Sequence, residues 1–279
     1  MLNQDDAAQF IEDGLANQGN IALLGGIGVD LDAGCGSSVQ TEPVTFLLAA
    51  RLLREKGIVE YAEAARKIKA EYIDAQFVLL GALDTNPSAL AHNDIDAWVL
   101  EGLLEWPGHV IVEPWLERAS VFVLPFYREG VPRSTHEAMA MAMTMGRAII
   151  TTDAPGCRET VVDGVNGYLV PVRDVDALVL AMARFLDNPE RIAAIGLDSR
   201  RMAAQKFDVQ KIDARLVDFF GPAMNQPLKR LAITGANRFI GRARCRAALA
   251  QQSMWQFVDR DHKACKQLGW RQRMGCGSP

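Results

Sequence analysis

Ser120-Val121-Phe122-Val123-Leu124-Pro125-Phe126-Tyr127-Arg128-Glu129-Gly130-Val131-Pro132-Arg133-Ser134-Thr135-His136-Glu137 reads as a strand, a loop and the opening of a helix. After Ser120 the run to Pro125 is continuously apolar, as suits a strand buried on both faces of a sheet. Gly130 and Pro132 forbid a helix across the loop, and Ser134 is a good N-cap for one that begins just after it. Glu129 thus stands where a buried strand ends, and Glu137, eight positions on, lies one turn inside the helix. In open α/β sheets, ligands settle beyond the carboxyl ends of the strands, where a helix start presents unpaired N–H groups and a positive dipole end. A diphosphate suits that position. Glu129 can accept hydrogen bonds from sugar hydroxyls and Glu137 from a ribose, since each carboxylate accepts two hydroxyls in good geometry. The same spacing also fits a solvated loop followed by an ordinary helix glutamate.

Outward from this stretch, residues 44–171 alternate between strand and helix patterns. Strands are expected near 44–50, 76–81, 103–106, 120–125, 148–152 and 168–171, and helices near 57–71, 90–101, 112–118, 134–145 and 157–163. Repeated βα units of this length imply a mostly parallel, Rossmann-like sheet with helices on both faces, an α/β class. Three further helices, at 174–188, 189–207 and 209–220, follow from 3.6-residue apolar spacing. At the start, residues 4–16 read as a short helix and 20–24 as a strand, ahead of a glycine-rich passage. Pro107 should interrupt the end of the third strand of the main set. Met139, Met141, Met143 and Met145 read as adaptable core filling on one helix.

Composition narrows the class. With 49% hydrophobic and 23% charged residues the 279-residue chain has ordinary globular composition. No apolar run approaches the length of a membrane span, and Met1-Leu2-Asn3-Gln4-Asp5-Asp6 lacks the basic and apolar regions of a signal peptide, which points to a cytoplasmic protein. Cys35, Cys157, Cys245, Cys265 and Cys276 show no metal-ligand spacing and read as reduced thiols. From Met224 onward, eleven Lys and Arg face two acids, a net +9 that leaves −13 in residues 1–223. That basic tail lacks the repeated aromatic spacing of a nucleic-acid binder, so no nucleic-acid partner is expected.

The stretch Leu124-Pro125-x-Tyr127-Arg128-Glu129-Gly130-Val131-Pro132-Arg133-Ser134, with Glu129-x7-Glu137, resembles the signature of retaining GT-B glycosyltransferases of family 4, the glycosyl transferases group 1. Further matching motifs occur in that family's order: Ala50-Arg51-Leu52-Leu53-Arg54-Glu55-Lys56-Gly57, Phe77-Val78-Leu79-Leu80-Gly81, Gly146 through Glu159, and Asp163-Gly164-Val165-Asn166-Gly167-Tyr168-Leu169-Val170-Pro171. The resemblance implies the C-terminal, donor-binding half of a GT-B fold. On it, residues 1–40 correspond to a remnant of the acceptor domain and the crossover, 41–222 to the nucleotide-sugar donor domain, and 223–279 to a basic tail expected to be poorly ordered.

The same resemblance assigns roles. Arg51 and Lys56 would hold the donor diphosphate and stabilise charge growing on the leaving phosphate, an effect worth about 3 kcal/mol per well-aimed group. Glu129 would meet the transferred sugar and Glu137 the ribose, with backbone N–H groups of Gly130, Val131, Ser134 and Thr135 near sugar and phosphates. Gly108, His109 and Val110 correspond to the region that contacts the base. There the chain departs from its relatives, with Ile111 where an Asp-Asp pair is common before Val-x-Pro. His136 replaces a usual leucine and reads as packing, because the leaving phosphate itself can take the acceptor's proton. A four-residue insertion separates Glu137 from Gly146, about one extra helical turn.

Leu231 through Gly241 resembles a second family, the opening strand and phosphate loop of NAD-dependent epimerases, truncated and with Arg238 in place of the middle glycine that lets backbone approach the pyrophosphate. The expected function is therefore metal-independent transfer, with retention, of a sugar from a donor of UDP or GDP type to an acceptor hydroxyl on a glycan or lipid-linked acceptor, in surface-polysaccharide synthesis. No resident cofactor is implied. Little turnover is expected without an acceptor domain, which a separate chain would supply, and peripheral association with a membrane is compatible with such an acceptor. The rival expectation is a nucleotide-binding or partner module without catalysis, and behind it an NAD-dependent sugar epimerase fragment.

Overall fold

The computed structural model describes residues 4–21, 23, 25, 28–31, 39–127, 133–224, 232–234 and 256–258, with side chains left out at 20, 133–138, 216, 217, 219–224 and in the last two segments. Six strands form one parallel sheet: β1 (Thr45–Ala49), β2 (Gln76–Leu80), β3 (Glu105–Gly108), β4 (Val121–Leu124), β5 (Ala148–Thr152) and β6 (Gly167–Val170), in the order β3-β2-β1-β4-β5-β6. The order reverses between β1 and β4, which pair directly through Phe46 with Val121 and Leu47 with Phe122. Connections from β1 run outward on one side and from β4 on the other, so a crevice opens above the carboxyl ends of these two strands. The six expected strands and their parallel pairing are thus observed.

Alternate side chains of each strand supply two cores, because a strand's residues face opposite sides in turn. Phe46, Leu48, Phe77, Leu79, Val121 and Val123 pack under α2 (Ile58–Glu71), α3 (His92–Leu100) and α6 (Val175–Asp187). Leu47, Ala49, Val78, Leu80, Phe122 and Leu124 pack under α4 (Glu113–Arg118) and α5 (Arg133–Thr144). The long helix α7 (Glu190–Lys206) contributes Ile192 and Ile195 to the first core and Ala203 to the second. Strands buried on both faces need no polar alternation, which is why their sequence is so uniformly apolar.

Several local expectations are corrected. α1 is shorter than expected, Gln4–Glu12. Gln18–Asn20 is a 3₁₀ turn, and neither Ile21 nor Leu23 joins a strand; the pairing goes instead to Val29, whose N–H and C=O bond Phe207 and Val209. Residues 157–163 do not form a helix beyond the 3₁₀ turn Arg158–Thr160. Asn166 there accepts from the Val162 N–H at 2.7 Å and donates to the Thr160 carbonyl at 3.0 Å, taking the groups a continuing helix would need. Pro107 does interrupt the β3 ladder as expected, at the register shift between Val78 and Leu80, although the strand runs on to Gly108. As an edge strand β3 has no partner on one side, and a register shift against Val78 and Leu80 absorbs the missing N–H.

Residues 210–279 form a second unit by their contacts. It holds most of α8 (Val209–Met224) and a two-stranded parallel sheet of β7 (Ala232–Thr234) and β8 (Gln256–Val258). The expected opening strand of the epimerase-like segment coincides with β7, while its phosphate loop, 235–241, lies outside the described residues.

Candidate donor site

β1 ends in Ala49, and the chain turns at Ala50 into Arg51, whose guanidinium lies at the mouth of the crevice, roughly half exposed. Its Nη1 donates to Asp84 Oδ2 at 3.2 Å, and Asp84 is itself fixed by the Asn86 N–H on its other oxygen, at 2.9 Å. Asp84 lies in the loop after β2, so adjacent strands hold the cation and its partner. Nothing in sequence spacing singles out Asp84.

Lys56 closes the 3₁₀ turn Arg54–Lys56 and is only 4% exposed. Gly57 follows at φ 68°, and a Cβ there would stand 2.0 Å from the Pro125 carbonyl oxygen, so only glycine lets this turn press against the end of β4. The approach brings the Lys56 ammonium 4.3 Å from the centroid of the Phe126 ring. Burial, and next the nearby Arg51 charge, pull the Lys56 amine down to about 8; Glu55 and Cys157 act in the opposite direction. An amine with that value is still about nine-tenths protonated at pH 7. Cys157 is buried and free, and burial pushes its thiol up, against opposing hydrogen bonds from Thr151 and Thr152.

Beside Arg51 a cavity of about 460 Å³ is lined by Ala49, Ala50, Leu80, Gly81, His109 and Met141, among others. Its floor is small by construction. Gly81 has φ 153°, and a Cβ on it would meet the Ala50 carbonyl oxygen at 1.8 Å. Gly81 is held from the far side as well, its N–H bonding the Gly108 carbonyl at 2.9 Å and its carbonyl accepting from Trp106 Nε1 at 3.0 Å. Gly108 itself turns at φ 83° to send His109 and Val110 to the cavity wall. Met139, Met143 and Met145 are buried as expected, and Met141, half-buried, packs against the same core while also lining the cavity.

The structure thus brings Arg51, Lys56, His109 and Val110 to the carboxyl ends of β1, β3 and β4. Glu129, Gly130 and Val131 lie outside the described residues. Ser134, Thr135 and Glu137 fall in α5, whose side chains at those positions, and at His136, are likewise outside them. Because α5 begins at Arg133, Ser134 sits inside its first turn rather than at the N-cap, a correction of one position or two at a boundary that sequence places poorly. Its N-terminus still follows β4 and so opens toward the crevice. Sequence reasoning missed Phe126, Asp84 and Gly81, each of which acts through a neighbour distant in the chain. Among the described residues no three His, Cys, Asp or Glu side chains gather as a metal site requires.

Fold and crevice together define an α/β domain of the doubly wound class. Residues 43–188 match the model of the family described as glycosyl transferases group 1, and the chain belongs to that family. It is 30% identical over 204 residues to a putative colanic acid biosynthesis glycosyltransferase, WcaL, of Salmonella typhimurium, covering 68% of this chain and 48% of that protein. The chain spans about half the length of the curated relatives it matches. Among solved structures, the fold is similar to Anabaena HepE in complex with UDP, with a TM-score of 0.68 at 19% identity, over 79% of this chain and 62% of that one. It is also similar to the C-terminal domain of a glycosyl transferase group 1 family protein from Francisella tularensis, with a TM-score of 0.56 at 19% identity, over 66% of this chain and all of that one.

Proposed function

We propose that this chain is the donor-binding half of a retaining glycosyltransferase, which transfers a sugar from a nucleoside diphosphate donor to an acceptor hydroxyl in surface-polysaccharide synthesis. The observation that carries the reading is a buried Lys56 near Arg51: burial first, and then the Arg51 charge, lower the Lys56 amine, an effect that an anion between the two cations would offset. A diphosphate supplies that anion. The leaving diphosphate gains charge as the glycosidic bond breaks, and Lys56 and Arg51 stabilise it at that moment without reorganising. The leaving phosphate then takes the acceptor's proton, so the new bond forms on the same face of the sugar.

In this reading the nucleoside occupies the cavity walled by His109 and Val110, with Gly108 setting their direction, and Glu137 takes the ribose. Backbone N–H groups of Ser134 and Thr135, in the first turn of α5, approach the phosphates, with Gly130 and Val131 beside them and Glu129 on the transferred sugar. The acceptor is a glycan or a lipid-linked glycan, which fits a cytoplasmic or membrane-peripheral setting. An acceptor domain, in this chain or in a separate one, completes the site by excluding water and aligning the hydroxyl. Among the described residues no helix is long and apolar enough to cross a membrane.

Calorimetry of the purified chain with UDP, GDP, ADP and NAD tests the reading. Binding of UDP or GDP that is lost in Lys56→Ala supports it. NAD binding alone would redirect attention to residues 224–250, and no binding at all favours a non-catalytic partner module.

A further inference from the structure

Phe126 and Tyr127 leave the end of β4 with their side chains on opposite sides of the same turn. Phe126 carries Lys56 on its ring, while Tyr127 turns to α2: its N–H donates to the Glu55 carbonyl at 3.0 Å and its hydroxyl to Glu60 Oε1 at 2.6 Å. The Arg173 guanidinium lies 4.3 Å from the centroid of the Tyr127 ring. Burial, then the bond to Glu60, pushes the Tyr127 hydroxyl up to about 12, so it stays a donor, with Arg173 acting the other way. Glu60 Oε2 is buried with no hydrogen-bond partner among the described residues, which leaves that carboxylate dependent on its neighbours.

Arg173 has φ 62°, the one non-glycine residue in the left-handed region among the described residues. A side chain is disfavoured there, and the next residue, Asp174, already caps α6 through its bond from the Ala177 N–H at 2.8 Å. A glycine would serve the turn better. The arginine kept at a strained position is explained by what it touches, which is Tyr127.

We propose that Glu60, Tyr127 and Arg173 form a clamp that positions the Arg54–Gly57 turn, and with it Lys56, for the donor diphosphate. The proposal rests on the donor-site reading above. Tyr127 is a positioning residue: it grips the turn from the α2 side while Phe126 holds the ammonium from the other. The α2 and α6 ends of the sheet are thereby tied to a site that opens toward α5.

Tyr127→Phe and Arg173→Gly, each in the full chain, test it with two readouts. The first is the pH dependence of Lys56 acylation, followed by mass spectrometry, with Arg51, Glu55 and Cys157 unchanged around it. The second is calorimetry with UDP and GDP. The wild-type labelling midpoint should lie near 8 and move toward the ordinary lysine value of 10.5 in both variants. Affinity for the diphosphate should fall about tenfold in Tyr127→Phe, which loses one hydrogen bond to a charged group, and about threefold in Arg173→Gly, which loses the cation over the ring. Arg173→Gly should hold or raise the melting temperature, because it removes the strain, so its effect on Lys56 is separable from unfolding. Variants that melt lower yet keep the wild-type midpoint and affinity overturn the clamp. A midpoint that moves while the wild type binds neither UDP nor GDP supports the clamp and overturns the donor reading.

Discussion

The ammonium of Lys56 rests 4.3 Å from the ring centroid of Phe126, in a position where only 4% of the residue meets water. A lowered folded-state pKa means that the folded protein binds fewer protons than the unfolded chain between pH 8 and 10.5. Keeping Lys56 charged at neutral pH therefore costs about 3 kcal/mol, and stability should rise as pH increases through that window. The cost is tolerable only if the charge is used.

Replacing Lys56 with Met should consequently stabilise the fold by about 1–2 kcal/mol at pH 7, since the apolar side chain fills the same space over Phe126 without a buried charge. The same variant should lose diphosphate binding. Urea unfolding and calorimetry on one preparation check both, and a destabilised Lys56→Met would show that the ammonium is well compensated in the free protein.

Proton uptake should accompany binding. A bound diphosphate raises the Lys56 pKa, so at pH 8.5 a fraction of the amines must gain a proton on complex formation, whereas at pH 6.5 almost none do. Affinity should fall as pH climbs above about 8. Titrations in buffers of different ionisation enthalpy measure the uptake directly, and an enthalpy independent of buffer at pH 8.5 would refute it.

Asp84→Asn should raise diphosphate affinity about threefold. Arg51 now shares its charge with Asp84 at 3.2 Å, across an exposed pair that is worth at most about 1 kcal/mol to the fold. Freed of the carboxylate, the guanidinium presents its full charge to an anion. Weaker binding in this variant would mean that Asp84 aims Arg51 rather than competing for it.

Gly57→Ala should destabilise the domain by more than about 3 kcal/mol. The added methyl carbon would sit 2.0 Å from the Pro125 carbonyl oxygen at a backbone φ of 68°, so both backbone strain and overlap oppose it, and neither neighbour is a flexible side-chain end. Thermal denaturation followed by circular dichroism reads the loss, and an unchanged midpoint would mean that β4 can recede from the turn.

The central strands were legible because continuous apolar runs such as Phe46-Leu47-Leu48 and Val121-Phe122-Val123 suit burial on both faces of a sheet. Errors fell where a side chain outcompeted the backbone pattern. Asn166 ended the expected helix at 157–163 by capturing Val162 and Thr160. Arg51 and Lys56 were legible as candidate phosphate ligands through motif order. Their partners were not: Asp84 is 33 positions from Arg51, and Phe126 is distant from Lys56 along the chain, so neither contact leaves a periodic trace.

From the sequence alone come the α/β class, the family motifs and the candidates for holding a diphosphate, since these depend on residue type and local order. Tertiary structure decided the strand order that sets β1 beside β4, and so the crevice between them. It also decided the state of Lys56, whose lowered pKa follows from the depth to which Gly57 lets its turn sink against Pro125 and Phe126. Side-chain chemistry is written in the chain, but a group's charge is set by how much water and which neighbours surround it, and only the fold specifies those.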